Sequence, residues 1–468
     1  MQIQITTYNT ITAYSRTALF SLLLISVMII SCKKFVDIDP PAAQVISETV
    51  FTNDATATAT ITGIYSEMMN SSQQFTAGQT TLFTGMCADE LSFYTSGAND
   101  EFVNNQLSPL NQTIGSSFWQ RAYKYIYTAN LCIEGLSKST SLTATVKNNL
   151  LGEVKFIRAF SYFHLANLFG DVPLITSSDY RVNSNLPRAS VADVYSLIIG
   201  DLKEAKNLLP ATYISADRAR PNKRAATALL ARVYLYNQDW INAEAEATEI
   251  ISSGSYSLPA NLNQVFLKSS NETIWQLQPV NPTNNTWEGN AILPATATAT
   301  PTYLITSSLL SDFEAGDLRR NSWVGSRVFQ SQTVYYPAKY KVQTGSNQTE
   351  FYVVFRLAEQ YLIRSEARAR QNNITGSLAD LNAIRNRSGL PNSTASDQSS
   401  LLSSIEHERR IELMVEWGNR WYDLKRTNRA DAVLGLLKPA TWQSADKLWP
   451  VPTAELNANP ALVQNPGY

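Results

Sequence analysis

The stretch HERRIELMVEWGNRWYDLKR, residues 407–426, holds the densest set of side chains that could do chemistry. Nine of its twenty residues are charged, whereas only 16% of the whole chain is. Glu408, Glu412 and Glu416 stand four residues apart, so on a single helix they would form one column of carboxylates. Such a column could be a catalytic cluster, a metal site or a structural network.

The spacing of the charges favours a structural network. On one helix, Glu416 and Arg420 are i,i+4 neighbours and Arg409 lies three residues from Glu412, so the helix would supply its own counter-ions. The other faces are apolar: Ile411, Met414, Val415, Trp417, Trp421 and Leu424. Such a helix must be partly buried, and buried carboxylates need paired arginines. We interpret Glu408, Arg409, Glu412, Glu416 and Arg420 as a structural ion-pair network, with a catalytic pair of carboxylates as the alternative.

Other catalytic groups are scarce. His164 and His407 are the two histidines of the chain, so a histidine-rich zinc site is excluded and a Ser-His-Asp triad would have to use one of them. His164 lies in the apolar helical pattern FIRAFSYFHLANLFG and is predicted to be a core residue. The local candidate for the paired carboxylates of a glycoside hydrolase is Asp89 with Glu90, but adjacent residues rarely face each other across a substrate. We predict no catalytic residue, no metal and no cofactor.

The overall composition is that of a globular protein. The chain has 468 residues, 44% of them hydrophobic, and a net charge of -1. It can therefore bury a large core, and it shows no basic patch that would indicate nucleic-acid binding. Tyrosine (22) and tryptophan (9) are plentiful, which suits surface recognition, although aromatic residues are more often found in cores.

The amino terminus predicts export and lipidation. SRTALFSLLLISVMIISC has one positive charge and then an apolar run from Ala18 to Ile30, which is as long as a signal-peptide core and short for a membrane span. Ile29-Ile30-Ser31-Cys32 resembles the bacterial lipobox; the alternative is an ordinary signal with an incidental cysteine. We predict a signal peptide with an N-terminal extension over 1–31, lipidation of Cys32 and a lipidated tether over 32–45. Cys87 and Cys132 could then pair or remain isolated buried thiols.

The rest of the chain is mainly helical in pattern. RAATALLARVYLYNQDWINAEAEATEIISSG has small and aromatic residues at the offsets of a tetratricopeptide helix pair: Ala231, Tyr234, Ala243, Ala247 and Ile250. RLAEQYLIRSEARARQNNITGSLADLNAIRNRSGL has the same logic, with small contacts at Ala367, Ala379 and Ala383. Either could be an unrelated helical hairpin, but two in one chain favour a repeat. We predict a mostly α fold with a tetratricopeptide-like helical repeat scaffold.

Residues 251–350 differ from the rest. QPVNPTNNTWEGNAILPATATATPTYLITSS is rich in Asn, Thr, Pro and Gly and has no helical period. A long irregular segment in a compact protein is more often a functional loop than filler. We therefore predict an N-terminal region over 46–250, a loop-rich insertion over 251–350 and a C-terminal region over 351–468.

Several segments, in their order along the chain, resemble the SusD/RagB family of outer-membrane lipoproteins from Bacteroidota. They are VFTNDATATATITGIYSEM, GEVKFIRAFSYFHLANLFGDVPLI, LPRASVADVYSLIIGDLKEA, RLAEQYLIRSEARARQNN with LADLNAIRNRSGL, the charged stretch of 407–426, and the ending LWPVPTAELNANPALVQNPGY. Together they span almost the whole mature chain, and the ending is highly specific.

The resemblance implies a SusD-like fold, with a loop-rich portion that binds ligand. It implies a lipid-anchored protein of the outer membrane that faces the cell exterior and sits over a TonB-dependent transporter of the SusC type. Most members capture oligosaccharides or glycans for import, and some bind peptides. In the family the charged stretch is a structural signature.

Two segments have the composition of a sugar site, because a sugar needs exposed aromatic platforms flanked by amide and hydroxyl groups. The first is ELSFYTSGANDEFVNNQ and the second is VNPTNNTWEGN. The predicted ligand-binding residues are Tyr94, Trp287, Asn99, Asn104, Asn284 and Asn285. Phe93 is expected to face inward and Tyr94 outward. Trp287 is expected to be exposed, with a loop anchor packed on the body as the alternative. The next candidate region is QSQTVYYPAKYK, around Tyr335 and Tyr336.

Three functions compete at this point. The first is a surface protein that binds glycan, or peptide, and feeds a transporter, and it needs no catalysis. The second is a lipoprotein glycoside hydrolase, for which the sequence offers little beyond Asp89 and Glu90. The third is a tetratricopeptide scaffold that binds only protein, which would have little use for the insertion near Trp287. We predict the first.

Overall fold

Helices dominate the computed structural model, which describes residues 50–97, 99–296 and 298–468. This confirms the predicted mostly α class. The helices are α1 Asp54–Met69, α2 Thr80–Cys87, α3 Asp100–Val103, α4 Gln120–Lys138, α5 Ala144–Phe169, α6 Tyr180–Asn183, α7 Val191–Leu208, α8 Lys223–Tyr236, α9 Trp240–Ser252, α10 Trp287–Ile292, α11 Ser307–Ser311, α12 Leu318–Trp323, α13 Leu357–Arg370, α14 Ile374–Arg387, α15 Gln398–Glu412, α16 Asn419–Arg426, α17 Ala430–Leu437 and α18 Thr453–Ala458. The predicted signal peptide, the tether and Cys32 lie outside the described residues.

Local sequence explains where the long helices begin and end. Asn53 caps α1 by accepting a hydrogen bond from the Thr56 N–H at 2.9 Å. Ser190 caps α7 in the same way through the Asp193 N–H. Gly170, at φ 74°, ends α5. None of the helices in the described ranges has both the length and the apolar composition needed to cross a membrane.

The long helices pack mainly against their neighbours in the chain. α5 packs on α4 and α7, α8 on α7 and α9, and α13 on α9, α14 and α15. Each successive helix pair therefore covers the apolar face of the one before it, as in helical repeat proteins. Ion pairs join the layers: Arg232 of α8 binds Glu359 of α13 at 2.6 Å, and Arg368 of α13 binds Glu244 of α9 at 2.8 Å.

The first predicted repeat pair is confirmed in detail. It consists of α8 and α9, and its predicted contact residues are all buried: Ala231, Tyr234, Ala243, Ala247 and Ile250. Small side chains at these positions let the two helix backbones approach closely.

The second pair, α13 and α14, forms where predicted but uses different contacts. Ala367 is buried, whereas Ala379 is exposed and Ala383 is only half-buried, so two of the three predicted contacts are wrong. The close approach is made by Ser365 and Ser377, whose hydroxyl oxygens lie 3.1 Å apart. The inward face of α14 follows the helical period from Ser377, which places both alanines off that face.

The strands of the described residues pair two by two into antiparallel sheets. They are β1 Leu91–Phe93 with β5 Tyr303–Ile305, β2 Val172–Pro173 with β3 Arg188–Ala189, β4 Thr273–Leu277 with β8 Tyr352–Arg356, and β6 Val324–Phe329 with β7 Gln332–Pro337. β4 and β8 are wholly buried. Residues 251–350 contain four of these strands and three short helices, α10 to α12.

The charged stretch of 407–426 is not one helix, which corrects the sequence prediction. α15 ends at Glu412 and α16 begins at Asn419. Between them Val415 (φ 51°) and Trp417 (φ 48°) adopt left-handed conformations that cost energy for residues with a β-carbon. The break is held by distant partners, because the Val415 N–H donates to Glu90 Oε1 at 2.8 Å and the Trp417 N–H donates to Thr81 Oγ1 at 2.9 Å.

A glycine is required at the end of this break. Gly418 has φ 77°, and a Cβ there would lie 2.8 Å from the Thr84 hydroxyl of α2. The turn therefore packs directly against α2. Because α15 ends at Glu412, Glu416 is not part of the column of carboxylates that the sequence predicted.

Candidate functional site

The predicted carboxylate column forms a buried ion-pair network whose partners come from other elements. Glu408 accepts from Arg319 Nη1 at 2.6 Å and lies 3.3 Å from Arg385 Nη1. Glu412 pairs with Arg319, Arg356 and Arg387. Both carboxylate side chains are fully buried, so the network has no solvent-facing carboxylate at these two positions.

The predicted partners within the charged stretch are wrong, although the buried network itself is present. Glu416 binds Arg356 Nη2 at 2.8 Å and Lys339 instead of Arg420. Arg409 binds Asp423 at 2.7 Å instead of Glu412. The break after Glu412 separates the residues that a continuous helix would have placed together.

Charge and burial oppose each other at these carboxylates. Burial alone would raise the pKa of Glu412, but the guanidinium groups of Arg387, Arg356 and Arg319 outweigh burial and hold this pKa well below its usual range. Glu408 shows the opposite balance, since burial raises its pKa more than Arg319 lowers it.

Asp89 and Glu90 do not form an opposed catalytic pair. Arg420 Nε and Nη2 donate to the Asp89 carboxylate at 2.8 and 2.9 Å. Burial would raise the pKa of Asp89, but Arg420 and Arg410 hold it below its usual value. Glu90 is 1% exposed and accepts from the Val415 N–H. Burial raises the pKa of Glu90 to about 7, and that hydrogen bond only partly offsets the effect.

Tyr94 lies at the surface beside the short sheet of β1 and β5. The Tyr94 N–H donates to the Thr302 carbonyl oxygen at 3.0 Å, which extends the strand pairing by one residue. Its ring is 37% exposed and meets Phe329 edge-on, with ring centroids 5.0 Å apart and planes at 89°. Phe93 is half-buried and packs on Tyr303 at 5.2 Å. The expectation that Tyr94 is the more outward residue is therefore confirmed.

The hairpin of β6 and β7, which contains the next candidate region around Tyr335 and Tyr336, brings Phe329 to Tyr94. Phe329 ends β6, and Gln330 (φ 45°) and Ser331 (φ 60°) form the turn, as two-residue hairpin loops require. The Tyr336 ring lies over Gly325, where a Cβ would come within 2.4 Å of it. The hairpin therefore adds Phe329 to Tyr94, and we call these two rings the Tyr94 platform.

Asn99 and Asn104, the predicted amide residues of this segment, are both half-buried. Asn104 lines a groove of about 460 Å³, together with the hydroxyl residues Ser92, Thr306 and Ser307. We call it the β1 groove. Two charged residues, Asp89 and Lys438, and apolar residues, Val103 and Leu437 among them, also line it.

The second predicted segment has a structural role. Asn285 is fully buried, and its Oδ1 accepts from the backbone N–H groups of Thr349 and Glu350 at 2.7 and 2.9 Å. Asn284 is also buried, at 5% exposure. Thr286 caps α10 by accepting from the Gly289 N–H at 2.9 Å. These polar residues therefore satisfy backbone groups, which the sequence prediction did not anticipate.

Trp287 corresponds to the loop-anchor alternative. Its ring is only partly exposed and packs against the core, and its Nε1 donates to the Met69 carbonyl oxygen at 2.9 Å. The expectation of a freely exposed ring is wrong, because polar neighbours in sequence do not prevent an aromatic ring from folding back onto α1. A ligand contact by Trp287 stays a prediction.

The remaining chemistry-bearing residues are structural as well. His164 is 1% exposed, as predicted, and its Nδ1 lies 3.0 Å from the Tyr422 hydroxyl. Burial lowers the pKa of His164 to about 3. Cys87 and Cys132 are buried free thiols. Over the described ranges, no three metal-ligating side chains come together as a metal site.

The known proteins to which the chain is similar all belong to one group, the SusD-like proteins. A family model described as starch-binding associating with outer membrane matches residues 34–235, and a second, described as SusD family, matches residues 318–468. Two SusD-like proteins of Formosa agariphila align with the chain. One is 29% identical over 491 residues, covering 92% of this chain and 95% of its relative, and the other is 25% identical over 528 residues, covering 94% and 97%.

Solved structures agree on the fold. A SusD superfamily protein from Bacteroides vulgatus superposes with a TM-score of 0.79 at 21% identity, covering 90% of this chain and all of that one. A laminarin-binding SusD-like protein superposes with a TM-score of 0.74 at 25% identity, covering 89% of this chain and all of that one.

Proposed function

Because the chain belongs to the SusD/RagB family, we propose that it binds a glycan at the cell surface and passes it to a TonB-dependent transporter of the SusC type. The observation that carries this proposal is the Tyr94 platform, an exposed aromatic ring braced edge-on by Phe329. This contact restricts the orientations that the ring can adopt before ligand arrives, so less conformational entropy is lost on binding.

The surroundings of the platform match the surface of a sugar. A neutral sugar presents apolar C–H faces and a rim of hydroxyl groups. The Tyr94 ring offers an apolar face and a phenolic hydroxyl, and the β1 groove offers hydroxyl and amide groups from Ser92, Asn104 and Thr306. Sites of this kind combine apolar surface with a few convergent polar groups.

The proposal assigns different roles to the regions predicted from the sequence. In this proposal the helical regions 46–250 and 351–468 form the scaffold, and the insertion over 251–350 contributes β5 and the β6–β7 hairpin to the ligand site. Acylation of Cys32 would hold the body at the outer membrane beside the transporter. Catalysis is not part of the proposal.

A glycan panel tests the proposed function. Laminarin is the first ligand to try, because a related structure is described as laminarin-binding. Purified protein without the first 31 residues is incubated with laminarin and other polysaccharides, and with peptides, while binding and release of reducing sugar are both measured. Binding of a glycan without turnover supports the proposal. Turnover would indicate a hydrolase, and binding of peptides alone would indicate a peptide carrier.

A further inference from the structure

The β1 groove continues into a second groove on the same surface. The second groove has a volume of about 480 Å³ and is lined by Arg410, Arg420 and Arg429 among others; we call it the Arg410 groove. Asp89, Ser308 and Leu437 line both grooves. Because three residues are shared, the two grooves meet side by side over Asp89.

The Tyr94 platform lies beside the β1 groove. Successive residues of a strand point to opposite faces, so Ser92 and Tyr94 lie on the same face of β1, about 7 Å apart along the strand. Ser92 lines the β1 groove, and Tyr94 carries the exposed ring. The platform therefore adjoins the β1 groove, which in turn adjoins the Arg410 groove.

The two walls of the Arg410 groove differ in chemistry. One wall is α17, which presents Val433, Leu436 and Leu437 to the groove. Leu436 is 83% exposed and Leu437 is 47% exposed, so this wall offers apolar surface to a ligand. The opposite wall is polar and includes Ser308 and Asp312. A sugar chain, with apolar faces and hydroxyl edges, suits such a pair of walls.

The charges in the groove are internally balanced. Arg410 pairs with Asp89 and Asp312, Arg420 pairs with Asp89, and Arg429 pairs with Glu406. Each arginine of the wall thus has a carboxylate partner, so the groove has hydrogen-bond donors and acceptors without a large excess of one charge. The β1 groove adds Lys438, whose ammonium group donates to the carbonyl oxygens of Met86 and Cys87 and to Asn105 Oδ1. Because these cations already have partners, the two grooves favour a neutral ligand over an anionic one.

We propose that the Tyr94 platform, the β1 groove and the Arg410 groove form one elongated site that holds a neutral polysaccharide chain across several successive sugar units. The inference rests on the proposed function and adds to it the length and the charge of the ligand. A chain bound in this way contacts the protein at internal units, so affinity rises with the number of units until the line of subsites is filled.

The test is a chain-length series measured by calorimetry on wild type and variants. The series is prepared from the glycan that the panel identifies; for laminarin it includes laminaribiose and laminariheptaose. Leu436→Arg places a long charged side chain in the Arg410 groove, because Leu436 lines that groove and not the β1 groove. The matched control is Leu110→Arg, because Leu110 is also highly exposed, at 75%, and lines neither groove.

The expected result separates long from short ligands. Wild type binds the long oligosaccharide at least about tenfold more tightly than the short one. Leu436→Arg removes most of that gain and leaves binding of the short ligand unchanged, whereas Leu110→Arg and the melting temperatures of both variants match wild type. Acidic oligosaccharides of equal length bind more weakly than neutral ones.

Other outcomes overturn specific parts of the proposal. Equal affinity for short and long ligands, or wild-type binding of the long ligand by Leu436→Arg, excludes the elongated site while the proposed function stands. Tighter binding of acidic chains excludes the neutral ligand class. A complete lack of glycan binding removes both this inference and the proposed function.

Discussion

The guanidinium group of Arg356 binds both the main-chain carbonyl oxygen and the side-chain carboxylate of Glu412. Arg356 Nη2 donates to the Glu412 carbonyl oxygen at 2.6 Å, and Nη1 donates to the Glu412 carboxylate. Glu412 is the last residue of α15, where carbonyl oxygens lack helical partners. Lys339 Nζ reaches the same carbonyl oxygen at 2.9 Å. Two cations thus satisfy this helix end, where the helix dipole also favours positive charge.

Glu412→Ala should destabilise the protein strongly. The substitution leaves Arg319, Arg356 and Arg387 buried with one carboxylate fewer, and breaking a buried pair costs about 3–5 kcal/mol. Chemical denaturation measures the loss. As a control, Lys447→Ala removes a partner of the exposed residue Asp431 and should cost less than about 1 kcal/mol. Equal stability of the two variants would contradict the structural role of the network.

Tyr94→Ala should weaken glycan binding by more than tenfold, about 1.4 kcal/mol, with little change in the melting temperature. The reason is that the ring is exposed and its main packing partner is another surface ring, Phe329. Tyr127→Ala is the matched control, because Tyr127 is 38% exposed on α4. If both variants bind the identified glycan like wild type, the site lies away from the platform.

Trp287→Ala should lower stability, unlike Tyr94→Ala. The ring packs on the core and its Nε1 binds the Met69 carbonyl oxygen, so its loss should cost about 1–3 kcal/mol. Trp287→Phe keeps most of the packing and should cost less. Thermal melts with and without glycan measure both effects. Weakened binding in a variant that melts like wild type would show that Trp287 contacts the ligand directly.

Glu288 should make stability fall as the pH rises. Burial raises the pKa of Glu288 to about 8 from an ordinary 4.5; hydrogen bonds with Thr81 and Tyr352 only partly offset burial, Glu416 raises the pKa further and Lys339 lowers it. Between these two pH values the unfolded chain loses the proton and the folded chain keeps it, so the free energy of unfolding decreases with pH.

Glu288→Gln removes this titration and provides the measurement. The stability of the variant relative to wild type should increase by a few kcal/mol between pH 5 and pH 8, at about 1.4 kcal/mol per pKa unit. A difference that does not change with pH would show that Glu288 is ionised in the folded protein.

Cys32→Ala should release the protein from membranes without altering its fold. The apolar run that ends at Ser31-Cys32 motivates this prediction, and an acyl chain contributes about 0.8 kcal/mol per buried methylene to membrane binding. Membrane fractionation and mass spectrometry of the mature amino terminus measure the effect. An unmodified mature terminus at another residue would contradict it.

Sequence predicted the features that depend on neighbours in the chain. The contacts of α8 and α9 follow from one helical period and one short turn, and the core position of His164 follows from its apolar helix. The break at Val415 could not be predicted in this way, because the groups that hold it, on Thr81 and Glu90, are more than 300 residues away. The local periodicity predicts that the helix continues through Val415, whereas in the structure hydrogen bonds to distant residues end it there.

The ligand site was likewise predictable only where it depends on neighbours in the chain. Tyr94 was predicted from the composition of the segment around it. Its partner Phe329 could not be predicted in this way, because the pairing of β1 with β5 and the hairpin beside β5 bring it to Tyr94. Asn285 was misjudged because a buried amide that holds backbone N–H groups has the same sequence appearance as an exposed amide that binds sugar.

The turn between α15 and α16 also bears on the order in which the chain folds. Its N–H groups at Val415 and Trp417 bind side chains that were synthesised 325 and 336 residues earlier. The helix pairs can form as soon as they are made, but α2 and the residues after it cannot complete their packing until the chain is nearly finished. Contacts of such high sequence separation close late and leave apolar surface exposed meanwhile. A chain truncated before Val415 should therefore aggregate, even though most of its helices are intact.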